Sequence, residues 1–407
     1  MIPLLVQLGI FVATVGLPAQ SSNSDPAAAM PERRFYERLS DAAAKLGIAL
    51  FVFSPAQFEE RTGILSGFRY SGKRWRIEAC ALPDIVYDRS YCSSFEEQMA
   101  CRNALSAIRK LKGYIPLNGS LPSKWEVYSY LRQDAILVRH LPPTQTVDRL
   151  EQLLPQMQEQ SKGLFLKPAA GMQGKGVLYI RHHPLTGQWL ADGRTRHNLP
   201  IAKTFEDWPA LILWGERFVG QTAYICQPYL ELRGRDGKAF DVRALVQKNE
   251  KGQWVLTGTA VRVGNSGSLT SNLHGGGSAS NATDYLTDAF GKQRTHQLLN
   301  EIGRLSLHAA PKLEERFGRL AELGFDFGIE PAGRIWLLEV NSRPGRASMR
   351  LLGDMEAERL SIERPLQYAC LLSRRLYPTL ITNASAIGRT YEQHKRLRTD
   401  NVQEVHP

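Results

Sequence analysis

Apolar positions along the chain fall into short continuous runs separated by turn-rich segments. Leu8 to Val12 is apolar throughout. Pro31 to Leu46 then sets Phe35, Leu39, Ala42, Ala43 and Leu46 on one helical face, and Gly47 is placed to end that helix. Ile48 to Phe53 is again continuously apolar, as strands buried on both faces are. Strand, helix, strand opens a doubly wound parallel sheet, and Asp84 to Tyr87 reads as its next strand. Ligands bind at the carboxyl edge of such sheets, where Asp88 and Arg89 fall. Contact with a substrate and plain surface decoration suit these two residues equally.

A new unit begins near Lys112. Ser123 with Glu126 three residues on is a helix start, and that helix should end before Pro142. Thr146 to Leu154 reads as a short helix stopped or kinked by Pro155. From Lys162 the chain runs KGLFLKPAAGMQGKGVLYI, an apolar strand, a glycine-rich break and a second strand. Ile225 to Leu230 is a short strand ending in a connector. Phe240 to Val246 and Trp254 to Val263 form an antiparallel pair around Asn249 to Gly252. A loop rich in Gly, Ser and Asn follows, Gly264 to Asn281. An amphipathic helix from about Asp288 to Phe317 is expected to break or bend at Pro311. Gly324 to Glu330 and Arg334 to Asn341 make a hairpin around Pro331 to Gly333, and the tail after about Tyr391 is polar enough to be disordered.

Bulk properties narrow the partners. The chain has 407 residues, long enough for two or three domains, with 43% apolar and 22% charged residues as in ordinary soluble proteins. Its 51 Lys and Arg against 40 Asp and Glu give a formal charge of +11, which favours an anionic ligand. The basic residues are scattered and no groove-reading or stacking motif accompanies them, so no nucleic-acid partner is expected. Five cysteines without paired spacing speak against a disulfide framework and a zinc site, and place the chain in the reducing cytoplasm. The apolar N-terminus has no Lys or Arg ahead of it and is interrupted by Pro3, Gln7 and Gly9, so a buried first strand suits it better than a secretory signal. No membrane attachment is expected.

Among chemical motifs, the glycine loop is not a P-loop: Ala169 stands where the first glycine belongs, Gly176 follows Lys175, and a strand comes next. The first strand–helix turn lacks a dinucleotide fingerprint, and no zincin, hydrolase-elbow or cysteine–histidine pattern occurs. His182 and His183 read as surface histidines. In the last hairpin, Glu339 and Asn341 are two apart on a strand and share a face, with Leu338 and Val340 turned to the core. A carboxylate and an amide oxygen are the hard donors that Mg²⁺ takes alongside phosphates. Asp326 joins them if it lies opposite Glu339. A two- or four-residue turn would place it there, whereas a three-residue loop needs a bulge. An exposed polar face of an edge hairpin is the competing reading.

A lysine-bearing strand, a glycine loop, a hinge strand and an acid-x-Asn hairpin, in this order from Lys124 to Gly345, resemble the ATP-grasp superfamily. FVFSP, LPDIVYDR, KWEVYSYL, KPAAGMQGKGV, FDVRALVQK, SNLHGGG, LGFDFGIE and LLEVNSRPG together look like its YheC/YheD endospore coat-associated family, a match running from the first strand to about Leu366. The resemblance implies an α/β chain with α+β lobes: an ATP-grasp fold preceded by a Rossmann-like pre-ATP-grasp domain. The expected divisions are 1–111 for that domain, 112–224 and 225–375 for the two ATP-grasp lobes, and 376–407 for a polar tail.

The resemblance also implies roles. Lys124 and Lys167 would hold phosphate oxygens and the adenine edge. Gly171, Gly174 and Gly176, with Lys175 as counter-charge, would close over the triphosphate. Gln227, Pro228, Tyr229 and Leu230 match the hinge that reads adenine. Pro228 departs from the acidic residue common there and has no N–H, which leaves Leu230 to donate and Pro228 or Tyr229 to accept. Glu231 is the candidate for the ribose hydroxyls. Asp241 and Arg243 match the Asp-x-Arg of glutamate-adding ligases, and Arg262 and Asn272 match phosphate- and substrate-side elements. Arg343 and Arg346 could each hold a substrate carboxylate or a structural salt bridge. Asp326, Glu339 and Asn341 would bind Mg²⁺, with Mn²⁺ as a substitute. The implied activity is ATP-dependent carboxylate–amine ligation through an acylphosphate. The rival is an ATP-binding spore coat-associated protein without turnover. An acidic substrate suits the basic balance.

Overall fold

The structure, a computed structural model, describes residues 6–15, 25–171, 174–271, 276–346 and 354–376. The polar tail and Asn272 lie outside them. The chain divides into two units, Met1–Leu117 with Asn249–Gly252 and Arg364–Pro407, and Asn118–Lys248 with Gln253–Glu363.

The first unit is built on β1 (Val6–Phe11), α1 (Arg33–Lys45), β2 (Ile48–Phe53), β3 (Phe58–Glu59), β4 (Ile64–Ser71), β5 (Arg74–Cys80), β6 (Ile85–Asp88), α2 (Phe95–Leu111) and β7 (Ile115–Asn118). Its sheet runs β3-β4-β2-β1-β6-β7, with β5 paired to β4. β1 is parallel to both β2 and β6, and Leu8, Ile10, Phe11, Phe51, Val52 and Phe53 are buried, so the continuous apolar runs reflect cover on both faces. The antiparallel hairpin β4–β5 was not anticipated, because its half-polar alternation lacks such a run.

Neither expectation holds for Arg89. Arg89 is fully buried and grips Glu32 with Nη2 at 2.7 and 2.8 Å and Nε at 3.1 Å. Asp88 Oδ1 accepts from the Ser90 amide and hydroxyl at 2.8 and 2.6 Å, turning the chain after β6.

The second unit begins with α3 (Lys124–Leu131), opened by a complete Ser123–Glu126 capping box. The expected helix over Thr146 to Leu154 is instead β8 (Gln145–Val147) and a 3-10 turn. Pro155 sits at the start of the next helix, α4 (Leu154–Glu159), where its missing N–H costs nothing. Then come β9 (Leu164–Pro168), β10 (Leu178–His182), β11 (Trp189–Arg194), β12 (Pro200–Phe205), α5 (Trp208–Val219) and β13 (Tyr224–Pro228). Their sheet is antiparallel in every pairing, ordered β12-β11-β10-β9-β13-β8, with Leu164, Leu166, Leu178, Ile180 and Leu211 in its core.

A five-stranded sheet follows in the order β16-β15-β14-β17-β18: β14 (Phe240–Lys248), β15 (Trp254–Val263), β16 (Ser278–Asn281), β17 (Glu322–Ile329) and β18 (Ile335–Asn341). Two helices, α6 (Ala282–Phe290) and α7 (Lys292–Phe317), replace the single one expected from Asp288; Asn281 caps α6 and Gly291 at φ 79° separates them. Pro311 does not interrupt α7. Its ring faces solvent and so does Leu307, one turn back, so the carbonyl that loses its donor can be hydrated. A last helix, α8, spans Met355–Leu376. Among the described residues no helix is long and apolar enough to cross a membrane.

The five-stranded sheet has two unlike faces. Leu323, Phe325, Phe327 and Ile329 of β17 and Val242, Ala244 and Val246 of β14 join Leu298, Ile302, Leu305 and Leu313 of α7 in one core. The alternate residues, Glu322 and Asp326 of β17 and Asp241, Arg243 and Gln247 of β14, are polar and point the other way. A three-residue loop closes the β17–β18 hairpin, the Glu330 amide bonding the Arg334 carbonyl at 3.0 Å. Phe327 pairs with Leu337, yet Asp326 pairs with Glu339, so Leu338 is the extra residue of a bulge. It is not part of the core, contrary to expectation, whereas Val340 packs there.

Candidate functional site

The bulge brings three oxygen-bearing side chains together. Before it, Ile335 and Leu337 are buried in the core; after it, the same parity carries Glu339 and Asn341 to the polar face. Asn341 Nδ2 donates to Asp326 Oδ2 at 3.3 Å. Asp326 is almost wholly buried and held by two guanidinium groups. Arg243 chelates it, with Nη2 to Oδ2 at 2.9 Å and Nε to Oδ1, and Arg262 Nη2 lies 2.9 Å from Oδ2. Arg262 also chelates Asp241 at 2.6 and 2.7 Å. Burial opposes the Asp326 charge, but Arg243 and Arg262 outweigh it and hold its carboxyl below the usual range. Burial likewise opposes the charge of Arg262, and Asp241 and Asp326 prevail over it.

Two lysines arrive from the other elements of the unit. Lys124 opens α3 and its Nζ lies 3.3 Å from Glu339 Oε2. Lys167 lies inside β9 and is almost wholly buried. Its Nζ donates to the carbonyl of the bulge residue, Leu338, at 3.1 Å. Burial, and then the like charge of Lys124, lower its pKa to about 8, although Glu339 and Asp326 act to raise it. Among the described residues the Lys167 ammonium makes this one hydrogen bond and no ion pair.

Four cations (Lys124, Lys167, Arg243, Arg262) thus stand with three carboxylates (Asp241, Asp326, Glu339), a net excess of one positive charge in a largely dry site. Oδ2 of Asp326 has three donors and Oδ1 one, so Oδ1 keeps a free lone pair, with Glu339 opposite Asp326 in the strand register and Asn341 two residues on. These oxygens fit a hard divalent cation that completes its shell with phosphate and water.

The glycine loop is described at its two ends. Gly171 and Lys175 are exposed, and Gly174 has φ 68°. Gly176 is buried at φ 71°, its carbonyl taken by the Tyr224 hydroxyl at 2.7 Å and its amide bonded to the Thr195 carbonyl at 3.1 Å. It therefore anchors the loop to the sheet, while Lys175 next to it faces outward.

At the hinge, Gln227 turns its amide onto the Thr144 hydroxyl at 2.8 Å, Pro228 pairs with Leu164, and the Tyr229 amide bonds the Gly163 carbonyl at 2.9 Å. The Leu230 amide and the Tyr229 carbonyl carry no hydrogen bond among the described residues. Glu231, about half exposed, is paired with Lys162 at 2.8 Å.

The two downstream arginines differ. Arg343 Nη2 donates to Ser120 Oγ at 2.6 Å at the edge of the site. Arg346 is a structural group: it is buried against Glu322, itself 1% exposed, and donates to the Pro344 carbonyl at 2.8 Å. Glu322 also accepts from Gln247, which in turn accepts from Thr257. Sequence reading missed this network, although Glu322 shows itself in ELGFDFGI as a polar residue in phase with Asp326. It also missed Ser271, whose hydroxyl bonds Asp241 Oδ2 and fastens the loop that leads to Asn272.

Comparisons with known proteins agree with this architecture. The chain is 29% identical over 350 residues to the endospore coat-associated protein YheC of Bacillus subtilis (strain 168), covering 85% of this chain and 92% of the relative. It is 26% identical over 346 residues to YheD of the same organism, covering 84% and 74%. Among solved structures it is similar in fold to the D-cycloserine synthetase DcsG, with a TM-score of 0.51 at 14% identity over 91% of this chain and 99% of that one. It is also similar to the ADP complex of purK, an N5-carboxyaminoimidazole ribonucleotide synthetase, with a TM-score of 0.50 at 13% identity over 88% and 77%. The description of the "YheC/D like ATP-grasp" family matches residues 114–372, well over half of the sequence. This chain, with two of its three sheets meeting at Lys167 and its bulged acidic hairpin, is a member of the YheC/D-like ATP-grasp family.

Proposed function

We propose that this chain is an ATP- and Mg²⁺-dependent ligase that joins a carboxylate to an amine through an acylphosphate. The observation that carries the reading is Lys167. An ammonium buried beside a second lysine, with a carbonyl as its one partner, is costly to the fold and is repaid by an anionic ligand. A nucleotide triphosphate is such a ligand, and Lys124 and Lys167 would hold its phosphate oxygens. The Leu230 amide and the Tyr229 carbonyl would read the adenine edge, and Glu231 the ribose. The loop bearing Gly171, Gly174, Lys175 and Gly176 would close over the phosphates, adding the Lys175 charge.

Asp326, Glu339 and Asn341 would hold Mg²⁺, which would supply neutralisation of the phosphate charge. Arg262, fixed by Asp241 and Asp326, would face the charge developing on the γ-phosphoryl group. Arg343 and Asn272 would hold the substrate side. The substrate carboxylate attacks the γ-phosphorus, ADP leaves, and an amine captures the acylphosphate with release of phosphate. In this scheme the protein contributes position and preorganised charge.

The test is to incubate the purified chain with Mg-ATP and pooled amino acids or acidic peptides. ADP release that requires an acceptor and vanishes in Glu339→Gln supports ligation. The names of the relatives and the heavy arginine pairing of Asp326 favour a second reading, an ATP-binding coat-associated protein without turnover. Nucleotide binding with no acceptor-dependent ADP release across those pools would select it.

A further inference from the structure

Five cysteines without paired spacing look inert in the sequence, and three of them make no sulfur–sulfur contact among the described residues, although Cys80 belongs to the same apolar cluster as Cys92 and Cys101. The other two meet. Cys92 lies in the segment between β6 and α2, and Cys101 lies on α2, with their Sγ atoms 3.8 Å apart. Among the described residues this is the one sulfur–sulfur contact.

Local chemistry explains the meeting. Ser94 caps α2 by accepting from the Glu97 amide at 3.2 Å, and Glu97 reaches back to accept from the Ser93 amide and hydroxyl at 2.6 and 2.8 Å. The segment is thereby fastened over the first turn of the helix. Cys101 follows Glu97 by one turn, on the face that continues through Ala104 and Ile108 into the core. Cys92 is laid directly against it.

We propose that Cys92 and Cys101 form a reversible dithiol–disulfide pair whose oxidant is a low-molecular-weight disulfide. A disulfide needs its sulfurs about 2.05 Å apart, so roughly 1.8 Å of travel remains, within reach of side-chain rotation and a small shift of the segment. Cys92 is half-buried and Cys101 buried, so Cys92 is the sulfur an outside reagent meets first. Burial, then Cys92 itself, push the Cys101 thiol up to about 12, with Asp88 and Glu97 acting in the same direction.

The exchange follows from that order. The Cys92 thiolate attacks one sulfur of the oxidant, forming a mixed disulfide and expelling the first small thiolate. Cys101 then gives up its proton to solvent and attacks Cys92 Sγ, expelling the second. The protein loses two electrons and two protons, and the oxidant gains both as two small thiols. The new bond would tie the carboxyl end of β6 to α2.

Trypsin places both cysteines in one peptide, Ser90 to Arg102, which makes the product easy to read. Folded full-length chain is treated with oxidised glutathione, quenched in acid, digested without reductant and weighed. The expected peptide is lighter by two hydrogens and returns to the dithiol with dithiothreitol. Cys101→Ser should stop as a glutathione adduct on Cys92, and Cys92→Ser should leave Cys101 unmodified. A wild-type peptide that stays a dithiol, ends as the glutathione adduct, or is found joined to another cysteine would overturn the pairing.

Discussion

Replacing Lys167 by methionine is expected to stabilise the second unit and abolish its hold on nucleotide. Burial, with Lys124 beside it, brings the ammonium from 10.5 to about 8. At about 1.4 kcal/mol for each pH unit, the buried cation costs the fold about 3 kcal/mol at neutral pH. Methionine fills a similar length of space without that cost. It also strips the Leu338 carbonyl of its donor, which takes back about 1 kcal/mol, so the net gain at pH 7 is about 2 kcal/mol. The pH dependence has a definite sign. Unfolded lysine keeps its proton to about 10.5, whereas folded Lys167 releases it near 8, so in that window the unfolded state binds more protons and the wild type gains stability as pH rises. The advantage of the variant should be complete below about pH 8 and mostly gone by about pH 10. Urea midpoints of both proteins at pH 7 and pH 10, with a fluorescence titration of nucleotide at pH 7, make the measurement. A variant less stable at pH 7, an advantage indifferent to pH, or unchanged nucleotide affinity would refute the reasoning.

Further substitutions probe the site and the structure around it. Asp326→Asn leaves Arg243 and Arg262 in excess inside the protein and should cost about 3 kcal/mol in urea unfolding as well as nucleotide turnover. Glu339→Gln, at a partly exposed position, should lose turnover with stability within about 1 kcal/mol of wild type. Arg346→Leu should cost about 3 kcal/mol by removing the guanidinium that faces buried Glu322, and adding Glu322→Gln should recover part of the loss. Gly176→Ala should cost about 1–2 kcal/mol, since φ is 71° and the new Cβ would stand 3.1 Å from the Tyr224 hydroxyl, while Gly171→Ala, meeting only Pro168 at 3.4 Å, should change the melting curve little.

Features written in local chemistry were legible in the sequence. The Ser123 capping box, the β14–β15 hairpin and the parallel start of the first sheet all rest on neighbouring residues or unbroken apolar runs. Prolines misled, because their effect depends on position and exposure: Pro155 opens α4, and Pro311 is accommodated on the wet side of α7. Of the candidate site residues, the family resemblance points to Lys124 and Lys167, whereas Glu339 and Asn341 could be named from their spacing and Asp326 on condition of the register. Their partners could not, since Arg243 meets Asp326 from 83 positions away and the order of strands alone makes them neighbours. Arg89 shows the same limit, being a charge at a sheet edge in sequence and an internal pair with Glu32 in space.

The extra residue at Leu338 has a consequence for inheritance. Because the bulge absorbs it, the faces of Glu339 and Asn341 are set by their pairing with β17 and not by the count of residues before them. Loss of the single codon for Leu338 would still leave Leu337 opposite Phe327 and Glu339 opposite Asp326, so Glu339 and Asn341 would stay on the polar face; what would go is the bulge carbonyl that receives the Lys167 ammonium. In a lineage of such hairpins, a one-residue deletion would leave every acid in place while removing the acceptor of the buried lysine, and a count of matching residues would not reveal it.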